Sequence, residues 1–189
     1  MQEGLGEESM GTIYNDISIE DVISSHKGSF SLLCHGVKDK NDMLRTITSI
    51  AHDKKNIFLI TRTHPSILSE LVKYSISNVY WLSEKGDDED IIKPTETTIM
   101  HMKIEEFMGK YNESALIILD NLEYMMFYNG FEKVFKLIGN ISDDSYIYGS
   151  LFISFLDERA FNEKEKSLLD SIITLLNPKH YPLNSSTYG

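Results

Sequence analysis

The stretch ALIILDNLEYMM, residues 115–126, decides the fold. Five apolar residues, a strand's length, end at Asp120, and a helical pattern starts directly behind it. Successive side chains of a strand point to opposite faces, so a run that is apolar throughout predicts a strand covered on both sides, as in a parallel sheet. In nucleotide-hydrolysing α/β domains a carboxylate at the carboxyl end of such a strand holds the water shell of a magnesium ion. The same letters also spell a helix start, with Asp120 as N-cap and Glu123, three residues on, closing a capping box.

Working outward, strand-like and helix-like signals alternate. Before the stretch come a short amphipathic segment, ISIEDVISSH, and a first strand, SFSLLCH. They are followed by NDMLRTITSIAHD, which places Met43, Leu44, Ile47 and Ile50 on one helical face. NIFLITRT is the second strand. The helix after it has Pro65 in its first turn, with His64 or Thr63 at the cap. NVYWLS is the third strand, EKGDDED a solvated acidic loop, and residues 98–111 a helix leading to the strand that ends at Asp120. Beyond it lie a helical region interrupted at Asn129-Gly130, a fifth strand SLFISF, and a last helix, NEKEKSLLDSIITLL. Five such strands separated by helices predict a three-layer α/β domain: a mainly parallel five-stranded sheet with helices on both faces. One domain over 18–177 is expected, between a flexible acidic tail, 1–17, and a C-terminal tail, 178–189. Sites in such sheets lie at the carboxyl ends of the strands, here His35 and Gly36, residues 61–64, Ser83 and Glu84, Asp120, and residues 155–157.

Composition narrows the classes. The 189 residues are 41% hydrophobic and 25% charged, the makeup of one globular domain. Eighteen basic against 29 acidic residues give a net charge of −11, which repels phosphates and argues against a nucleic-acid partner. Apolar runs of about five residues fall far short of the roughly 20 that span a membrane. Cys34 is the only cysteine, so no disulfide forms within the chain; it reads as a buried small hydrophobe, and a reducing cytoplasm suits it.

A phosphate-binding loop should follow the first strand, where glycines let backbone N–H groups wrap an anion and a Lys-Ser/Thr pair completes the site. The stretch there is HGVKDKNDMLRT. Counted from Gly36, the second glycine, the lysine and the hydroxyl fall on Asn41, Asp42 and Met43, and a carboxylate at the lysine position repels a triphosphate. The alternative is a plain strand-to-helix connection capped by Asn41 or Asp39. Without the loop a magnesium ion has no anion to bridge, which favours the cap for Asp120. No G-x-S-x-G turn accompanies a Ser-His-Asp set, and the six scattered histidines give no metal-ligand spacing. Arg62, at a strand's carboxyl end, is expected to pair with Asp120 or Glu123. Finally, YMMFYNGF crowds four aromatics and two methionines into eight residues, more than one helix face can bury.

LITRTHP, VYWLS, IIKPTE, ILDNLEYMMFYNGFEKVFKLI and LDERAFNEKEKSLLD, in that order across 28–176, resemble the archaeal family known as domain of unknown function 835. That family is similar to RecA-like and KaiC-like domains in strand order and typically lacks the phosphate-loop signature. The resemblance implies a signalling or scaffold module rather than a reaction. This chain has Asn121 where glycine is common in the family's LDGLEYL.

The expectation from residues and resemblance together is a non-catalytic module on a degenerate nucleotide-hydrolase scaffold. It has no cofactor or metal, and it binds a protein partner or a second copy through Tyr124, Met125, Phe127, Tyr128 and Phe131. The alternative is a sensor that binds a nucleotide or other anion without hydrolysing it, through Lys38, Lys40, Arg62, Asp120 and Glu123.

Overall fold

The computed structural model describes residues 19–24, 27–53, 55–72, 76 and 78–176; both expected tails lie outside the described residues. Along the chain run α1 (Ile19–Ser24), β1 (Gly28–Cys34), α2 (Val37–Ala51), β2 (Asn56–Thr61), α3 (Pro65–Leu71), β3 (Asn78–Leu82) and β4 (Ile91–Ile92). Then come α4 (Thr97–Tyr111), β5 (Ala115–Leu119), α5 (Leu122–Asn129), α6 (Phe131–Tyr148), β6 (Leu151–Asp157), α7 (Glu163–Asp170) and β7 (Thr174–Leu176). The strands form one sheet in the order β4-β3-β2-β5-β6-β1-β7, every pair parallel.

The sheet has seven strands, not the five expected. β4 is two residues long, too short to show a period, and is fixed by pairing Trp81 with Ile91 and Leu82 with Ile92. β7 was expected as the end of the last helix. That helix starts on a capping box, with Asn162 accepting from the Glu165 N–H and Glu165 from the Asn162 N–H, but it stops at Asp170. The β-branched residues Ile172, Ile173 and Thr174 follow, and the chain turns to pair beside Phe30 and Leu32 of β1.

β5 explains the layering. All five of its residues are buried. Ala115, Ile117 and Leu119 pack with α4, α5, α6 and α7, while Leu116 and Ile118 pack with α1, α2 and α3. Each such fully buried leucine or isoleucine contributes about 1.5–3 kcal/mol relative to exposure. On α2 the buried residues are Lys40, Met43, Leu44, Ile47, Thr48 and Ala51, a helical stripe that begins with a lysine. Gly130, at φ +76°, separates α5 from α6 as the Asn-Gly pair predicts. No helix among the described residues is long and apolar enough to cross a membrane.

Candidate functional site

Because every pair is parallel, the ends of β1, β2, β3, β5 and β6 share one edge of the sheet. Between β1 and α2 stand only His35 and Gly36, so α2 begins four residues earlier than expected at Asn41. Neither Asn41 nor Asp39 caps it. Its N-cap is Gly36, at φ +99°, and Asp39 reaches back from the first turn to accept from the His35 N–H at 3.1 Å. A loop of the phosphate-binding kind needs several residues between strand and helix to curl N–H groups around an anion, and two cannot do so. Arg159 closes over the connection: its Nη2 lies 3.3 Å from where a Cβ on Gly36 would sit. Its guanidinium holds Asp157, at the end of β6, through contacts of 2.9 and 2.7 Å, and these hydrogen bonds keep that carboxyl below the ordinary range.

Asp120 lies just past β5 and is 4% exposed. Its N–H donates to Ile60 O at 2.9 Å, and its Oδ2 accepts from Thr61 Oγ1 at 2.8 Å. It is not a helix cap. The N-cap of α5 is Asn121, in the left-handed conformation at φ 62° and making no side-chain cap bond, so no capping box with Glu123 forms. Of the side-chain-bearing residues, asparagine is among the few that visit this region at modest cost.

The partner of Asp120 is Lys40, not Arg62. The Lys40 ammonium reaches from α2 to Asn121 Oδ1 at 2.6 Å and Glu123 Oε1 at 2.8 Å, with Asp120 Oδ1 at 3.6 Å. Burial alone would lower the lysine's pKa, but Asp120 and Glu123 together outweigh it and hold it above the ordinary value. For Asp120 burial wins: its pKa is raised, with Lys40 and the Thr61 hydroxyl offsetting only part of the desolvation. Asp120 Oδ1 and Glu123 Oε2 are buried without a hydrogen-bond partner among the described residues. The lysine thus fills the space beside the Asp120 carboxylate at the end of β5. Among the described residues no group of three or more His, Cys, Asp or Glu is arranged to hold an ion. Lys38 is exposed on the first turn of α2. Cys34 is fully buried, donates to Leu156 O, and has its thiol pushed up to about 12 by burial.

Arg62 takes part in a different contact set. Its Nη1 donates to Leu82 O at 2.7 Å, its carbonyl accepts from Trp81 Nε1 at 3.2 Å, and its guanidinium lies 4.3 Å from the centre of the Tyr124 ring. His64 caps α3 through Nδ1, accepting from the Ser66 N–H, and its ring packs edge-on to Trp81 at 4.8 Å.

The five residues expected to form an interface divide. Met125 is fully buried and is corrected to core, because α5 turns Leu122 and Met125 inward, three residues apart. Phe131 packs on Phe135 against the core; it belongs to α6, whose helical phase restarts after Gly130. Tyr124 is half-buried under Arg62. Phe127 is 82% exposed and Tyr128 38% exposed, with rings 5.3 Å apart, and Tyr124 and Tyr128 meet at 5.0 Å.

Fold and edge together define a parallel α/β protein with an internally neutralised carboxylate and an aromatic helix at the strand ends. A family profile described as "Protein of unknown function (DUF835)" matches residues 37–173, and the chain belongs to that family. No curated protein matches it. Among solved structures it is similar to a chain in the structure of Drosophila ORC bound to AT-rich DNA and Cdc6, at 13% identity and a TM-score of 0.41, over 89% of this chain and 52% of that one. A chain in the structure of Drosophila ORC bound to GC-rich DNA and Cdc6 is similar at 13% identity and a TM-score of 0.40, over 98% of this chain and 67% of that one. The chain thus spans about half the length of the first of these.

Proposed function

We propose that this chain is a non-catalytic interaction module, built on a degenerate RecA-like scaffold, that docks a protein through the outer face of α5. The observation that carries the proposal is Phe127, 82% exposed beside Tyr128 on a helix whose inner face is anchored by Leu122 and Met125. An aromatic left in water on a firmly held element is the kind of residue that dominates interface energetics. The strand order, with β6 between β1 and the strand ending at Asp120, supports kinship with RecA-like domains. Lys40 supports loss of catalysis: it fills the space beside Asp120 and commits its charge to Asp120, Asn121 and Glu123. The anion-sensor alternative draws less support, since Lys40 and Arg62 are both engaged within the chain.

Two measurements test the proposal. Calorimetry with ATP and magnesium should show no binding; affinity in the micromolar range that Asp120→Ala abolishes would refute the loss of nucleotide chemistry. A photo-crosslinking residue at position 127 should capture protein in extracts of native cells. The control carries it at the similarly exposed Met102 of α4. Equal capture at the two positions would defeat the assignment to α5.

A further inference from the structure

The α5 surface has a charged border. In the connection between β3 and β4, residues 84–90 hold five carboxylates and one lysine, and all seven are exposed. It lies beside α5. Arg62 links the end of β3 to Tyr124, and Asn129, the last residue of α5, donates to Pro94 O just past β4 at 2.8 Å. The Tyr128 hydroxyl, held above its usual pKa first by its hydrogen bond to Tyr124, also feels the charge of Glu84. Of the nearby cations, Lys93 is bound to Asp87 at 2.9 Å and Arg62 to Leu82 O and the Tyr124 ring.

Resting on the docking role of α5, we infer that its partner is a basic protein segment, whose Lys or Arg side chains lie over the Phe127 and Tyr128 rings and against the carboxylates of 84–90. Ring faces attract cations, and the chain already makes that contact itself, with Arg62 over Tyr124. Acidic residues rimming exposed rings favour a positive partner and speed its encounter. A second copy is the poorer occupant. A two-fold interface sets a patch against itself, bringing the two acidic loops of molecules that each carry −11 to one contact.

The test is a selection of random twelve-residue peptides displayed on phage. They are selected on the wild-type chain alone, and the winners are measured by fluorescence anisotropy. The expected pool is enriched in Lys and Arg. Its members should bind at least tenfold more weakly to Phe127→Ser/Tyr128→Ser, and also to Asp88→Asn/Glu89→Gln/Asp90→Asn, with thermal melts confirming that both variants are folded. A pool of neutral or acidic peptides that still needs Phe127 and Tyr128 would overturn the basic partner and leave α5 as the docking face. A sedimenting dimer dissociated by the aromatic substitutions would do the same, with a second copy as occupant. Peptides that bind the aromatic variant as well as the wild type would overturn both.

Discussion

Replacing Lys40 with methionine keeps the length of the side chain and deletes its charge. The substitution leaves Asp120, 4% exposed, and Glu123 without the ammonium between them. Breaking a buried ion pair from one side costs about 3–5 kcal/mol, because a desolvated charge is left uncompensated. At about 2–4 °C per kcal/mol for a domain of this size, the melting temperature should fall by roughly 6–20 °C near pH 8. The sign of the pH dependence follows from Asp120. Its folded pKa is raised above the unfolded value near 3.8, so its favourable contribution is complete below that value and is lost as pH rises through the folded one. Removing Lys40 takes away the largest charge that opposes the rise, so the folded pKa climbs further. The gap between variant and wild type should therefore narrow at about pH 5 and widen toward neutrality. Calorimetric melts of the two proteins at both pH values measure it. Adding Asp120→Asn and Glu123→Gln to Lys40→Met should recover most of the loss, since no charge is then stranded. A single variant that melts within about 1 kcal/mol of wild type at both pH values would refute the account of Lys40 as internal counter-ion.

Helix α5 offers a second contrast: Met125→Ala should cost about 2–5 kcal/mol by opening a cavity, while Phe127→Ser changes denaturation midpoints by no more than about 0.5 kcal/mol. At Asn121, glycine should be nearly neutral by urea titration, because relief of the left-handed backbone offsets the lost bond to Lys40. Alanine, which keeps the strain and loses the bond, should cost about 2–4 kcal/mol. Cys34 should resist thiol reagents in the folded protein near neutral pH and react only as it unfolds, its thiol being buried with a pKa of about 12.

The central strands were legible because burial on both faces leaves an uninterrupted apolar run, as in β5 and β6. The edges were not. β4 has two residues to reveal itself, and the segment of β7 extends the apolar spacing of α7 closely enough to pass for more helix. Asp120 was found by position but given the wrong partner, since pairing with Lys40 spans 80 residues and is fixed only by strand order. A signal for it was present. Lys40 stands three and four residues before Met43 and Leu44, on the buried stripe of α2, and a lysine on an apolar stripe needs an internal carboxylate. Met125 was expected at the interface but faces the core with Leu122, and Phe131, on α6 beyond Gly130, packs against the core with Phe135.

The two-residue passage from Cys34 through His35 and Gly36 into Val37 also limits what mutation can make of this scaffold. Converting Asn41 to glycine, Asp42 to lysine and Met43 to serine would supply the letters of a triphosphate site without the length of chain to fold around one. An insertion of roughly half a dozen residues, the span of a phosphate loop, would be needed there, beside Arg159, which lies over Gly36. Point substitutions therefore do not make a triphosphate site here. For an engineer the short passage is useful: α5 can be diversified for new binding partners on a frame in which point substitutions do not create a loop able to cradle ATP.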